Sequence, residues 1–295
     1  MRTLSLGYSP CPNDTFIFYA LVRGKIDTED IGFKEALLDV ETLNQMALCS
    51  ELDITKISYH AFGHLREDYC LLRSGSAIGR GCGPLVVAKE DYTVKDLREK
   101  RTAIPGRLTT ANLLLQLFSS TFNLQSSNSP LPPFTKGGQG GIIEMPFSKI
   151  MDAVVKGDVD AGLIIHEGRF TYPSYGLKKV LDLGEWWEND TGLPVPLGGV
   201  LAKRNLGKDL IKRADSVIGK SIEYAFKHRD EPKFYIKQHS QELEEEVIEQ
   251  HINLYVNDYS LDIGEEGLSA VRELLRKAEM RGIIKESRNE FLCVT

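Results

Sequence analysis

Two short stretches gather the residue types that acid–base and binding chemistry need. IIHEGRFTYPSYG, from Ile164 to Gly176, sets an imidazole, a carboxylate, a guanidinium and two phenols just past an apolar run. His166 is the side chain there whose ordinary pKa lies near neutrality, which suits a general base or acid. Glu167 either orients that ring or is solvated, and a structural histidine is the alternative. SPCPNDTFIF, from Ser9 to Phe18, follows the apolar run Leu4 to Tyr8 and leads into apolar residues at helical spacing. It reads as strand, tight polar turn and helix start. Pro10 and Pro12 fix two φ angles, and Asn13, Asp14 and Thr15 are helix-capping types. The N–H groups of such a helix start suit an anion or carbonyl ligand, and a rigid turn with no ligand is the alternative.

A third stretch, RLTTAN from Arg107 to Asn112, follows a Pro-Gly turn and precedes a helix expected over Leu113 to Phe118. Thr109 and Thr110 then stand at a helix N-terminus, where capping and ligand contact are compatible. GRGCG, from Gly79 to Gly83, matches neither nucleotide-loop spacing. No HExxH, CxxC or clustered His and carboxylate set occurs, so no metal is expected. His60 and His64, four apart, lack a third ligand and read as exposed or capping. Five widely spread cysteines argue against a disulfide framework and fit a reducing cytosol. Cys11, at the helix start, reads as a small turn residue.

The elements that must position these residues repeat. A helical pattern (Val40, Leu43, Met46, Ala47) runs into LDITKISYH, Leu52 to His60, and a similar one (Ile150, Met151, Val154, Val155) runs into VDAGLIIHE, Val159 to Glu167. Aligning Asp53 with Asp160 sets Ser58 level with Ile165 and Tyr59 level with His166. CGPLVVAKE (Cys82 to Glu90) likewise resembles PLGGVLAKR (Pro196 to Arg204), as if the chain crosses into a second domain and returns. We therefore expect one α/β lobe from residues 1–88 plus 200–295 and another from residues 89–199, with ligands outside the carboxyl ends of the strands.

Asn123 to Gly141, with three prolines and four glycines, reads as an exposed insertion in the second lobe. Helices are expected over Arg213 to His228, Glu242 to Tyr255 and Leu268 to Ile284, all for packing, with the acidic run Glu242 to Glu246 solvated near a helix start. The 295 residues, 42% hydrophobic, suffice for two cores. A net charge of −6 without a basic stripe makes nucleic acid an unexpected partner. The absence of a signal-like or spanning apolar run points to a cytoplasmic protein away from membranes. Oligomeric state is not legible.

Read in order, SPCPNDTFIFYAL, DVETLN, TKIS, RSGSAIGRGCGPLVV, PGRLTTA, AGLIIHEGRFTYPSYGL, LGEWWE, TGLPVPLGG and YVNDYSLDIGEEG resemble the 1,4-dihydroxy-6-naphthoate synthase (MqnD) family over nearly the whole chain. The resemblance implies a periplasmic-binding-protein type II-like fold, two α/β lobes with a cleft and two hinge crossings. It implies a carbon–carbon lyase of menaquinone biosynthesis by the futalosine route, converting cyclic dehypoxanthinyl futalosine to 1,4-dihydroxy-6-naphthoate and dihydroxyacetone without metal or organic cofactor. By motif, His166 matches the catalytic base. Ser58, Thr109 and Thr110 match substrate-contacting positions, and Lys56 and Ile57 belong to the same binding segment as Ser58. Chorismate dehydratase of the same pathway is a looser relative, and a non-enzymatic solute-binding protein shares the fold. Both stand as alternatives.

Overall fold

The computed structural model describes residues 2–121, 141–240 and 244–293. In chain order its strands and α-helices are β1 (Arg2–Tyr8), α1 (Pro12–Val22), β2 (Ile31–Leu37), α2 (Val40–Leu48), β3 (Ile54–Ser58), α3 (Tyr59–Leu65), β4 (Tyr69–Leu71), β5 (Ala77–Gly79), β6 (Leu85–Ala88), β7 (Arg101–Ile104), α4 (Thr110–Thr121), β8 (Gly141–Glu144), α5 (Phe147–Lys156), β9 (Ala161–Ile164), α6 (Gly168–Thr171), β10 (Lys178–Asp182), α7 (Leu183–Thr191), β11 (Val195–Lys203), α8 (Lys208–Lys227), α9 (Lys233–His239), α10 (Glu245–Tyr255), α11 (Asp258–Leu261) and α12 (Gly264–Met280). They divide into two compact units, Met1–Gly79 with Pro196–Thr295, and Arg80–Val195.

In the first unit the strand order is β2-β1-β3-β11-β4, with β5 against β11. β1 runs parallel to β2 and β3, and β11 is antiparallel to β3 and β4. β3, ITKIS, is buried along its whole length, as a central parallel strand covered on both faces must be. Helix α1 is buried on nearly every side, so it carries almost no polar face and packs against α8, α9 and α10. Ser221 of α8 locks that contact, its hydroxyl donating to the Ile17 carbonyl at 2.7 Å and accepting the Leu21 N–H at 3.1 Å. The core joins Leu6 and Val200 from the sheet to Phe16, Phe18, Ile218 and Ile222 from the helices.

The second unit has the order β10-β6-β9-β7-β8, in which β7, β8 and β9 are parallel and β6 is antiparallel to β9. Its core joins Leu85, Val87 and Ala103 to Ile150, Val154 and Ile164. Both units therefore use one plan, a β-α-β-α-β run in the order second, first, third strand, closed by one antiparallel strand. The registers match residue for residue: Ile54 pairs with Ala202 as Ala161 pairs with Ala88. Asp53 and Asp160, just before the third strands, accept the backbone N–H of Ser5 at 2.9 Å and of Arg101 at 2.8 Å.

Several expectations need adjusting. The contacts divide at Gly79 and Val195, and not at 88/89 and 199/200, because Leu85–Ala88 pairs with β9 and β10 inside the second unit's sheet. The long helices occupy Lys208–Lys227, Glu245–Tyr255 and Gly264–Met280, at most five residues from the predicted bounds and coinciding with them at Tyr255. Cys70 and Cys293 form a disulfide, contrary to the reading of the cysteine count. β4 draws the C-terminal segment alongside: the Leu71 N–H donates to the Phe291 carbonyl at 2.7 Å and the Cys293 N–H to the Leu71 carbonyl at 3.2 Å. Their Cα atoms lie 5.0 Å apart despite 223 residues of separation. His60 is buried and only His64 exposed, because α3 turns its first residues into the core. The insertion Asn123 to Gly141 lies outside the described residues except Gly141, which opens β8 opposite Arg101. Among the described residues no helix is long and apolar enough to cross a membrane.

Candidate functional site

In the first unit the polar residues collect beyond the carboxyl ends of β1 and β3. Cys11 is the N-cap of α1, its carbonyl accepting the N–H groups of Asp14 and Thr15 at 3.1 and 3.0 Å, and its side chain makes no capping bond. Asp14 is thereby freed from the capping duty its residue type suggests and is turned back into the turn. Its Oδ2 accepts the Ser9 N–H at 3.1 Å and the Ser9 hydroxyl at 2.8 Å, and its Oδ1 accepts from Asn13 Nδ2 at 2.8 Å. The same Oδ1 lies 2.6 Å from Nζ of Lys56, with the two side chains only 6% and 7% exposed. A buried cation keeps its charge only beside a counter-charge held by further hydrogen bonds, which the Ser9 and Asn13 donors supply.

Ser58, the last residue of β3, is fixed by Asn44 of α2: Asn44 Oδ1 accepts the Ser58 N–H at 3.1 Å and Asn44 Nδ2 donates to the Ser58 hydroxyl at 3.3 Å. Ile57 is 2% exposed and offers mainly backbone and shape. β11 passes so close that a Cβ on Gly198 would stand 2.6 Å from the Ile57 carbonyl oxygen, so only glycine lets this edge pair there. Behind Asn13, the fully buried His251 of α10 places Nε2 3.0 Å from Asn13 Oδ1.

The second unit gathers its polar residues at the equivalent strand ends. After β7, the Thr109 hydroxyl donates to the Gly106 carbonyl at 2.8 Å and accepts the Asn112 N–H at 3.2 Å, the capping contact expected of it. Thr110 begins α4, and both threonines are buried. Arg107 is tied to Glu144 at the end of β8, Nε to Oε2 at 3.2 Å. After β9, His166 is half-buried and adopts φ 51°, the left-handed region that non-glycine residues seldom enter. Its ring meets Phe147, the first residue of α5, edge-on with centroids 5.6 Å apart. Glu167 is buried, and its carbonyl caps the next turn by accepting the Phe170 N–H at 2.9 Å. Nearby, Cys82 is buried, which pushes its thiol up to about 12 and leaves it inert as a nucleophile.

Lys56, Ile57 and Ser58 thus stand together in the first unit, and Thr109, Thr110 and His166 occupy successive strand ends of the second. Sequence reasoning missed Asp14, taken for a cap, together with Asn44 and His251. His251 left one trace: with Ile248, Ile252 and Tyr255 it occupies the buried stripe of α10, where a polar ring demands a partner.

Comparison with known proteins adds four findings. A family model described as menaquinone biosynthesis matches residues 4–280. A relative from Thermus thermophilus, named 1,4-dihydroxy-6-naphthoate synthase, is 48% identical over 97% of this chain and 98% of its own length. Among solved structures, a protein of Archaeoglobus fulgidus superposes with a TM-score of 0.85 at 37% identity, covering 96% of this chain and 98% of that one. A Candida albicans protein described as having the generic periplasmic binding protein fold superposes at 0.68 with 15% identity, covering 97% and 92%, which fixes the fold class.

Proposed function

The chain belongs to the menaquinone biosynthesis family and is an enzyme of that route, and from that premise we propose the reaction and residue roles that follow. The protein is a carbon–carbon lyase that converts cyclic dehypoxanthinyl futalosine to 1,4-dihydroxy-6-naphthoate and dihydroxyacetone. This is the reaction the family resemblance implies, and the product is the one for which the Thermus thermophilus relative is named. His166 is the general base. In its own unit Thr109 and Thr110 hold substrate oxygens, and in the other unit Lys56, Ile57 and Ser58 do.

The observation that carries this reading is the backbone of His166. A left-handed non-glycine residue costs stability and persists where the surroundings over-determine it, most often at functional sites. Here the strain lifts a half-buried imidazole out of the line of β9 and rests it on Phe147. Proton removal from the sugar-derived ring lets electrons flow toward the naphthalene as the carbon–carbon bond breaks. Aromatisation supplies much of the driving force, and a placed base adds roughly a hundred- to ten-thousand-fold. The Lys56 ammonium and the hydroxyls of Ser58, Thr109 and Thr110 hold the carboxylate and the oxygens that gain charge.

The test offers the purified protein cyclic dehypoxanthinyl futalosine and, separately, chorismate, and follows the naphthoate chromophore. The first substrate is expected to give product and the second none. His166→Asn is expected to bind substrate and lose turnover by at least about a hundredfold. Turnover of that variant at the wild-type rate overturns the base assignment.

A further inference from the structure

Helix α10 reaches the Lys56 site through a hydrogen-bond chain whose direction is fixed by its chemistry. Asp14 can only accept, so the Asn13 amide must present Nδ2 to it, at 2.8 Å. The Asn13 oxygen then faces His251, and Nε2 of His251 must carry the proton that crosses the 3.0 Å between them. Without that proton the amide loses the contact that sets its orientation, and Asp14 loses a fixed donor on the oxygen it shares with Lys56. The chain is buried throughout: His251 is 0%, Asn13 5% and Asp14 4% exposed. Low polarity strengthens each link and makes a missing one costly. His251 stands 238 residues from Asn13, and Tyr255, one turn on, packs against its ring with centroids 4.7 Å apart.

We propose that His251 is a positioning residue that acts through Asn13 and Asp14 to hold the Lys56 ammonium where it receives an anionic oxygen of the substrate. The inference rests on the reading of Lys56 as a substrate contact. His251 touches no reacting atom, so its effect falls on binding.

The experiment compares His251→Leu, which removes the donor, with His251→Gln, whose amide N–H can replace it, and with Asn13→Ala, which cuts the chain between its ends. His251→Leu and Asn13→Ala are expected to raise KM roughly tenfold, the loss of one hydrogen bond next to a charge, with kcat nearly unchanged. His251→Gln restores KM. A merely structural role would instead lower the active fraction and leave KM alone. In parallel, the Lys56 Nζ signal in lysine-labelled protein is followed by nitrogen NMR without substrate. It is expected to move in His251→Leu and Asn13→Ala and to stay in His251→Gln. If His251→Leu does not fold, Asn13→Ala carries both readouts. An unchanged KM and an unchanged Lys56 signal overturn the proposal. Should wild-type protein leave the substrate untouched, the functional reading falls, and the Lys56 signal still decides whether the chain exists.

Discussion

Tyr59 and His166 occupy the same place in the two units, each the sixth residue after the aspartate that opens its third strand, yet they meet opposite fates. Tyr59 enters α3 directly, is fully buried and donates to the Ser76 hydroxyl at 3.0 Å. Burial pushes its phenol far above the ordinary range, so it stays neutral and structural. His166 instead leaves β9 through a left-handed backbone and stays half-buried. One scaffold used twice thus carries two kinds of pole. The first unit's is a saturated lattice, Lys56–Asp14 with Ser9 and Asn13, that holds a fixed charge still. The second presents a half-buried ring on a left-handed backbone, resting edge-on against Phe147. Strand order and register are common property, and the two units part where the chain turns after the third strand.

The sharpest way to break the comparison is to remove a charge from the first pole. Lys56→Met leaves the Asp14 carboxylate buried without its cation, and severing a buried pair from one side costs about 3–5 kcal/mol. Urea denaturation is expected to show that loss in the first unit. A change below about 1 kcal/mol, the value of an exposed pair, would mean that the lattice is open to water and holds nothing still.

The duplicated plan was legible in the residues. The Asp53/Asp160 alignment and the likeness of CGPLVVAKE to PLGGVLAKR reproduce the strand register, because buried strands and their flanking carboxylates are local patterns. His166 at a strand end was legible for the same reason. What lay hidden depends on contacts distant along the chain. Nothing near Asp14 says that Cys11 takes the cap and leaves the carboxylate for Lys56, 42 positions on. Nothing near Cys293 points to Cys70. The unit boundary moved because β6 is apolar enough for either sheet and only its partners decide.

The second pole can be sharpened at the His166 backbone. A left-handed conformation costs a residue with a Cβ about 1–2 kcal/mol and glycine almost nothing. His166→Gly is therefore expected to be about 1 kcal/mol more stable than His166→Ala, with both inactive, as read by denaturation of the two variants side by side. Equal stabilities would show that the backbone relaxes once the ring is gone, and that the ring imposes the turn.

The smallest effect separates the poles by their ion pairs. Arg101 clasps Asp160 through Nε and Nη2 at 3.2 and 3.1 Å, but these side chains are 43% and 28% exposed, against 7% and 6% for Lys56 and Asp14. The guanidinium's hydrogen bonds hold the Asp160 carboxyl below its ordinary value of 3.8. A carboxyl depressed in the folded state stabilises fully above its unfolded value, and that contribution fades as pH falls from 3.8 through the folded value. Arg101→Met is thus expected to lower stability slightly near pH 7, far less than Lys56→Met, and to converge on wild type in acid below the depressed Asp160 value. Thermal melts at falling pH measure the gap, which is expected to narrow once the pH drops below 3.8. A gap that persists or widens in acid would assign the arginine's role to its bonds with the Asp158 and Gly157 carbonyls, at 2.8 and 3.1 Å, which do not titrate.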